Sequence, residues 1–313
     1  MFLKAGALSL GLLLASRLLG LVRESALAAA FGTSGLADVV VLMLTLPDWL
    51  AGVLASGALA YVLVPVWAGQ PRAQVVQTER KVAWGLLAGG GVLALLLFVW
   101  RQGAVNLLAG GLPSAMSVPA AHAMVWSAAA LPAALLAGLW TTRLQHERDF
   151  TGMYSANLVV NAILIAAIVW TAARPAAGDA MLRLGAGLLA AMFLRLAWLR
   201  WRTPRPDRGP ASIPAGVAAL PPPPVWLWAV LSAGLPLALP FAARSIASQA
   251  GEGALATFNY AWKLVELPLI LAIQLVATLA FPAIAKALAA KDAAATTGAV
   301  RGAIAFAWAL ACA

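Results

Sequence analysis

Two arginines lie inside an otherwise apolar stretch near the start of the chain. Arg17 and Arg23 stand in the segment SRLLGLVRE, with Gly20 between them. Six residues correspond to about 600° of helical rotation, so the two side chains would not share a face of a straight helix. A bend at Gly20 would let both point into one cavity. The spacing therefore predicts a cationic cavity for an anion, and an ion pair of Arg23 with Glu24 or Asp38 is the structural alternative.

Further charged residues interrupt the hydrophobic stretches. Burying one such charge in a bilayer costs at least about 2.5–3.5 kcal/mol, so these residues normally face a partner or a water-filled cavity. Arg195 lies near the inner end of its predicted helix, and we expect it to snorkel towards the interface. The other charged residues within or beside the stretches are Arg244, Lys263, Glu24, Asp38, Asp48, Glu252 and Glu266.

Two prolines lie within long apolar stretches and each has an acidic neighbour. Pro47 precedes Asp48, and Pro268 follows Glu266 by two residues. A proline inside a helix removes a backbone hydrogen bond and favours a kink. The pattern predicts a gating hinge beside a charge at both positions, with Gly20 as a third hinge, and a static kink packed by neighbouring helices is the alternative.

The spacing of these residues suggests an internal repeat. Arg23 and Arg244 each lie 24 residues before one of the two prolines, and each lies 15 residues before a polar residue, Asp38 and Asn259 respectively. The first and seventh predicted spans, and the second and eighth, therefore look like copies. Transporters are often built from such repeats, with the binding site at the repeat interface.

Composition identifies the class of protein. The 313 residues are 63% hydrophobic and 10% charged, whereas soluble domains are about 45–50% apolar and about 25% charged. These values exclude an ordinary soluble enzyme, a disordered chain and a disulfide scaffold. Because Cys312 is the only cysteine, a disulfide within the chain and a cysteine-built metal site are excluded. We also expect no cofactor. His122 and His146 are expected at the membrane interface.

The hydrophobic stretches predict an all-α polytopic membrane protein, since lipid-facing backbone must satisfy its own hydrogen bonds. A ninth stretch begins near residue 299 and is too short to cross, so we expect the chain to be part of a longer protein. The eight complete predicted spans are 5–30, 38–69, 82–100, 120–142, 155–173, 180–199, 226–249 and 254–285.

Basic residues set the predicted orientation and the lobe boundary. Most of the 21 lysines and arginines fall in loops on one side, which places the N-terminus in the cytoplasm. The net charge of +10 therefore needs no nucleic-acid partner. The largest hydrophilic break, 202–225, contains four consecutive prolines and predicts a cytoplasmic linker between a first lobe of six helices, 1–201, and a partial second lobe, 226–313, of two helices and a truncated third.

Two segments resemble a known family. Residues 16–67 carry Ser-Arg-x-x-Gly-x-x-Arg, then Phe-Gly, Ala-Asp, Leu-Pro, Gly-Ala and Val-Pro in order. This pattern resembles the N-terminus of the MurJ (MviN) lipid II flippases of the multidrug/oligosaccharidyl-lipid/polysaccharide exporter superfamily. Residues 258–287, FNYAWKLVELPLILAIQLVATLAFPAIAKA, resemble the eighth helix of that family.

The resemblance implies two six-helix lobes around a central cavity in the bacterial cytoplasmic membrane. It implies flipping of an undecaprenyl-pyrophosphate-linked peptidoglycan precursor by alternating access, with membrane lipids and cell-wall synthesis proteins as partners. Arg17 and Arg23 match cavity arginines thought to hold the pyrophosphate, and Asp38 matches the acidic residue that opens the second helix. Lys263 stands where arginine is usual, and Glu266 and Pro268 follow in register.

The sequence departs from the family pattern after Leu46-Pro47. Asp48 replaces an asparagine, Ala51 and Gly52 stand where arginines are usual, and Ser56 stands at a further acidic position. Loss of this basic pair would weaken the first capture of an anionic headgroup. Export of another polyprenyl-linked glycan and an inactive or partial paralogue, including a membrane partner that transports nothing, therefore stay open.

An integral-membrane enzyme is the remaining class of function. Such an enzyme would need clustered carboxylates or a metal site at the membrane surface. The loops offer only Glu147-Arg148-Asp149 and isolated acidic residues, without a histidine or an Asp-x-Asp motif. The sequence therefore disfavours an enzyme.

Overall fold

The computed structural model describes residues 2–54, 58–68, 70–174, 179–204, 220–266 and 292–312. Within these ranges all regular secondary structure is helical. Five of the described helices are long and apolar enough to cross a membrane, and a bent pair in residues 223–250 is a sixth candidate. The predicted all-α polytopic fold is confirmed.

The first two predicted spans correspond to three helices. Helix α1 covers Phe2–Phe31, α2 covers Gly35–Val53 and α3 covers Leu59–Ala68. High hydropathy throughout 38–69 predicts one span, whereas the structure divides it into α2 and α3. The turn between α1 and α2 includes Gly32 at φ 59°, a conformation that glycine adopts without the steric cost of a Cβ.

Helices α4 to α6 form the next part of the chain. They cover Arg72–Val99, Arg101–Ala109 and Ser117–His146. Helix α4 begins ten residues before the predicted span 82–100, because its first turns are polar and carry no hydrophobic signal. Helix α5 was not predicted, since nine residues are too few to stand out by hydropathy.

The remaining helices follow the predicted order. Helices α7 and α8 cover Phe150–Ala172 and Ala180–Arg202, and α9 covers Pro223–Ala247. Residues 254–266 form α10, and Ala293–Cys312 form α11. The bend of 51° in residues 223–250 falls between Leu235 and Leu237.

Helix α6 is the centre of the first part of the chain. Helices α2, α4 and α8 pack against it, while α1 packs against α7 and α7 against α8. The buried face of α6 is rich in alanine, including the fully buried Ala123, Ala130, Ala134 and Ala137, and small side chains let membrane helices approach closely. Ser127 of α6 donates a 2.6 Å hydrogen bond to the Met43 carbonyl of α2.

The contacts divide the chain into two compact units, Met1–Asn259 and Tyr260–Ala313. In the first unit α9 packs on α2 and α5, and the Trp49 indole donates a 3.1 Å hydrogen bond to the Leu237 carbonyl. Helix α9 is thus anchored to the helices that precede it. The lobe boundary at 202–225 stays a prediction.

Candidate functional site

Arg23 is the centre of a buried ionic cluster. Its Nη2 donates to Glu24 Oε1 at 2.7 Å, and its Nη1 donates to Asp48 Oδ2 at 3.4 Å. Arg23 is 8% exposed and Glu24 is 4% exposed. The structure therefore contains the Arg23–Glu24 pair that the sequence left as an alternative, with Asp48 of α2 as the second carboxylate instead of Asp38.

The second oxygen of Glu24 extends this cluster to the other half of the predicted repeat. Asn259 Nδ2 donates to Glu24 Oε2 at 2.7 Å, and Arg244 Nε donates to Asn259 Oδ1 at 3.1 Å. Arg23 and Arg244, which have matching positions in the predicted repeat, are thus linked through one carboxylate and one amide. The network joins α1 and α2 to α9 and α10 within the first unit.

Asp38 lies apart from that network and caps another helix. Its Oδ2 accepts from the Gly253 backbone N–H at 2.6 Å and its Oδ1 from the Ala256 N–H at 2.7 Å. These amides belong to the N-terminus of α10, where unpaired N–H groups and the helix dipole favour a carboxylate. The sequence predicts Asp38 at the start of the second span. It could not predict that Asp38 caps α10, which corresponds to the eighth predicted span.

Glu252 returns the same interaction in the opposite direction. Its Oε1 accepts a 2.8 Å hydrogen bond from the Gly35 N–H, the first residue of α2. The turns that precede α2 and α10 are therefore joined by reciprocal carboxylate caps. The sequence shows Glu252 only as one of the charged residues beside the spans and does not predict this cap.

Arg17 has a different environment from Arg23. It is partly buried and acts electrostatically on the phenol of Tyr154 in α7. Among the residues that the structure describes, no carboxylate forms an ion pair with Arg17. Helix α1 is continuous through Gly20, which faces Asn161 of α7. No described contact joins the side chains of Arg17 and Arg23.

The remaining predicted site residues lie in α2 and in the second unit. Lys263 Nζ and Glu266 Oε2 form an ion pair of 2.6 Å within α10, and both side chains are about one-quarter exposed. Pro47 is buried inside α2. Pro268, the predicted hinge of the second half, lies outside the described residues.

Arg195 does not lie where the sequence predicted it. The structure buries it at 7% exposed, whereas the sequence suggested that it would snorkel to the interface. It continues the buried stripe of Leu188, Ala191, Met192 and Leu199 on α8. The available signal was its spacing of three residues from Met192 and four from both Ala191 and Leu199. That signal is weak because α8 is apolar on most of its surface.

Two further ion clusters lie near the C-terminal ends of α6 and α8. Arg143 of α6, 1% exposed, pairs with Glu147 at 2.7 Å and with Glu79 of α4 at 3.5 Å. Arg202 of α8 pairs with Asp149 at 2.8 Å. In the described part of the chain no group of histidine, cysteine and carboxylate side chains could hold a metal ion.

The helical fold, the apolar spans and the buried charges define a polytopic membrane protein, and the comparisons give its family. The family described as "Lipid II flippase MurJ" matches residues 27–312. The chain belongs to the MurJ lipid II flippase family, whose members are inner-membrane flippases and not enzymes. The resemblance drawn from the sequence is confirmed.

Two relatives agree with this assignment. A "Probable lipid II flippase MurJ" of Rhizobium meliloti (strain 1021) is 28% identical over 296 residues, which cover 89% of this chain and 54% of the relative. A solved structure of lipid II flippase MurJ in an inward closed conformation has the same fold, with a TM-score of 0.68 and 15% identity, and the match covers 96% of this chain and 63% of that one. The chain thus spans about half the length of the curated relative.

Proposed function

We propose that the chain takes part in flipping lipid II, the undecaprenyl-pyrophosphate-linked peptidoglycan precursor, across the bacterial cytoplasmic membrane. The observation that carries this proposal is Arg17, a partly buried guanidinium that has no ion-pair partner among the described residues. An arginine presents fork-shaped donors that fit the oxygens of a diphosphate. A lipid-linked diphosphate is therefore a ligand that this side chain could hold while the polyprenyl tail stays in the bilayer.

Alternating access would open and close this site. In the predicted orientation the reciprocal caps of Asp38 and Glu252 lie at the outer ends of α2 and α10, and the Glu24–Asn259 bond lies deeper. Together they hold the two halves of the repeat against each other on the outer side. Opening towards the outside requires these bonds to break.

Complementation tests this function. The chain, expressed with the downstream sequence of its gene, should rescue cells depleted of their lipid II flippase. Arg17→Ala should abolish rescue while its level in the membrane stays normal, and Arg17→Lys should retain part of it. The matched control is Arg174→Ala, because Arg174 is an exposed arginine two residues after the end of α7. This variant should rescue fully. Normal rescue by Arg17→Ala would contradict the proposal.

Export of another polyprenyl-linked glycan is the second candidate function, and the inner end of α2 favours it. Ala51 is buried, and a Cβ built on Gly52 would lie 3.5 Å from Leu237 Cδ1 of α9. These two small residues therefore pack against other helices. In the family pattern, arginines at the same positions would place two positive charges there. A panel of lipid-linked diphosphates in proteoliposomes separates the candidates, since transport of a different glycan but not of lipid II supports the second.

A further inference from the structure

A cavity of about 320 Å³ lies where α4 ends and where α5 and α6 begin. Pockets that hold small molecules have volumes of about 300–1,000 Å³. Two of its lining residues, Val99 and Val118, are 72% and 64% exposed, so the cavity opens towards the outside of the helix bundle. The residues that line it are Val99, Arg101, Gln102, Val118, Ala121 and His122.

Arg101 is the charged residue of this cavity. Its Nη1 donates a 3.1 Å hydrogen bond to the Phe98 carbonyl, and its guanidinium lies 5.4 Å from the centre of the Phe98 ring. Within the described ranges no carboxylate forms an ion pair with Arg101, and its Nε and Nη2 make no hydrogen bond. A guanidinium has five N–H donors, so the contact with α4 leaves most of them available to a ligand.

Two neutral polar side chains complete the lining. Gln102 Nε2 donates a 2.8 Å hydrogen bond to Ser117 Oγ, which joins the start of α5 to the start of α6 and holds two walls of the cavity together. His122 is exposed, and the imidazole makes no hydrogen bond or ion pair with any residue that the structure describes. An arginine and an imidazole that line one cavity are donors suited to the oxygens of a phosphate group.

The cavity lies at the level of the membrane interface. Arg101 directly follows the predicted span 82–100, and the sequence predicts His122 at the interface. Trp100, between α4 and α5, is exposed, and tryptophan is enriched where acyl chains meet headgroups. Leu95 and Leu96, one turn earlier on α4, are exposed as well and face lipid. In the predicted orientation, the cavity therefore opens towards the headgroups of the outer leaflet.

The local charge favours an anionic headgroup over a zwitterionic one. Residues 80–146 contain no aspartate or glutamate, and the residues that line the cavity are neutral or basic. A phosphatidylethanolamine headgroup would bring its ammonium group near Arg101, and no lining carboxylate would compensate the repulsion of like charges. Phosphatidylglycerol brings the same phosphodiester with neutral hydroxyl groups.

We propose that this cavity binds the headgroup of an anionic phospholipid. Arg101 and His122 donate hydrogen bonds to the phosphodiester, and Val99 and Val118 contact the first part of the acyl chains. Arginine suits this position because its fork of donors fits phosphate oxygens, while its aliphatic stem can lie along apolar surface. Arg17 does not line the cavity, so the site is separate from the one proposed for lipid II and does not depend on it.

Native mass spectrometry of the full chain tests this inference. The chain is delipidated in detergent and titrated with phosphatidylglycerol or with phosphatidylethanolamine of the same acyl chains. The first lipid bound should be phosphatidylglycerol, and Arg101→Gln should lower its affinity about tenfold, because hydrogen bonds to a charged group are lost. Binding of phosphatidylethanolamine should change less.

Arg174→Gln is the matched control. Arg174 is also an exposed arginine beside a helix end and lies 5.6 Å from the centre of an aromatic ring, that of Trp170, but it does not line the cavity. This variant should bind phosphatidylglycerol like the parent chain. An equal loss of affinity in Arg101→Gln and Arg174→Gln would show that general surface charge binds the lipid, which overturns the inference.

Val118→Glu reverses the charge preference of the cavity. Val118 is exposed in the first turn of α6, where the helix dipole favours a carboxylate, so we expect the variant to fold. The new carboxylate should repel phosphatidylglycerol and attract an ammonium group, so that phosphatidylethanolamine becomes the preferred lipid. This variant decides the case in which Arg101→Gln lowers the melting temperature, since an arginine that only caps α4 predicts an unchanged lipid preference.

Two further outcomes would contradict the site. A preference for phosphatidylglycerol that survives Val118→Glu would show that the headgroup does not bind in this cavity. Glycerol 3-phosphate, which has the phosphate but no acyl chains, should displace phosphatidylglycerol only weakly. If it binds as tightly as the lipid, the ligand is a soluble phosphate ester and the assignment to a phospholipid is wrong.

Discussion

Glu24 of α1 accepts a 2.7 Å hydrogen bond from the side chain of Asn259, although the two residues are 235 positions apart. Both are buried, and the bond connects an ion pair with Arg23 on one side to Arg244 on the other. A buried polar network of this kind is stable only while its members are satisfied. Glu24 thus couples α1 to α10, in addition to the caps that Asp38 and Glu252 form between α2 and α10.

Glu24→Gln should destabilise the first unit strongly. The change removes the nearest counter-ion of the buried Arg23, so that Asp48 is the carboxylate that remains. Removing one partner of a buried ion pair costs about 3–5 kcal/mol. Thermal unfolding in detergent, followed by tryptophan fluorescence, measures the effect. Glu266→Gln is the control, because its partly exposed pair with Lys263, three residues away on the same helix, contributes only about 0.3–0.5 kcal/mol. Equal melting temperatures of the two variants would contradict the central position of Glu24.

Asp38→Ala should loosen the start of α10, and Glu252→Ala should loosen the start of α2. Loss of an N-terminal cap costs about 0.5–2 kcal/mol, and Asp38 makes two backbone hydrogen bonds where Glu252 makes one. Hydrogen exchange measures this directly. The amides of Gly253 and Ala256 should exchange faster in Asp38→Ala, and the amide of Gly35 should exchange faster in Glu252→Ala. Exchange that is unchanged at both helix starts would show that the caps do not hold them.

The Asp149–Arg202 pair should make the packing of the end of α8 against the turn before α7 sensitive to acid. Burial disfavours the charged form, but hydrogen bonds from Arg202 and from the Gly152 N–H hold the pKa of Asp149 below its usual value. A lowered pKa in the folded state stabilises the protein above the unfolded-state pKa of about 3.9, and this stabilisation is lost as the pH falls through the folded pKa.

Melting temperatures from pH 7 to pH 3 measure this contribution. The difference between the parent chain and Asp149→Asn should be greatest at pH 7 and should shrink below about pH 4. Asp179→Asn is the control, since Asp179 precedes α8 without a side-chain cap hydrogen bond. A difference between the parent chain and Asp149→Asn that stays constant down to pH 3 would argue against the charged hydrogen bonds.

Gly52→Arg should destabilise the packing of α2 on α9. A Cβ at this position would already contact Leu237, and forcing extra atoms into packed space costs about 1–3 kcal/mol. Leu237→Ala should recover part of this loss by making room. A double-mutant cycle on the free energy of unfolding measures the coupling, with Gly85→Arg as the control, because a Cβ on Gly85 meets no atom within 4 Å. Additive effects of the two changes would show that Gly52 and Leu237 do not compete for space.

The sequence by itself determined the class of fold and the order of most spans. Backbone in lipid must form its own hydrogen bonds, so long apolar stretches could only be helices, and residues 16–67 carried enough spaced motifs to indicate the family. The same criterion failed where hydropathy was uninformative. It merged α2 with α3, and it missed both α5 and the polar beginning of α4.

Only the tertiary structure decided what the charged side chains contact. In a helix such as α8, apolar on nearly every face, periodicity does not distinguish the lipid-facing side from the interior, so the burial of Arg195 was not predictable. Glu24 and Asp38 each accept hydrogen bonds from a residue more than two hundred positions away in the sequence. Local sequence contains no information about such contacts. The sequence could therefore predict that buried charges must be compensated, because an isolated charge in an apolar interior is too costly, whereas helix packing determined which groups compensate them.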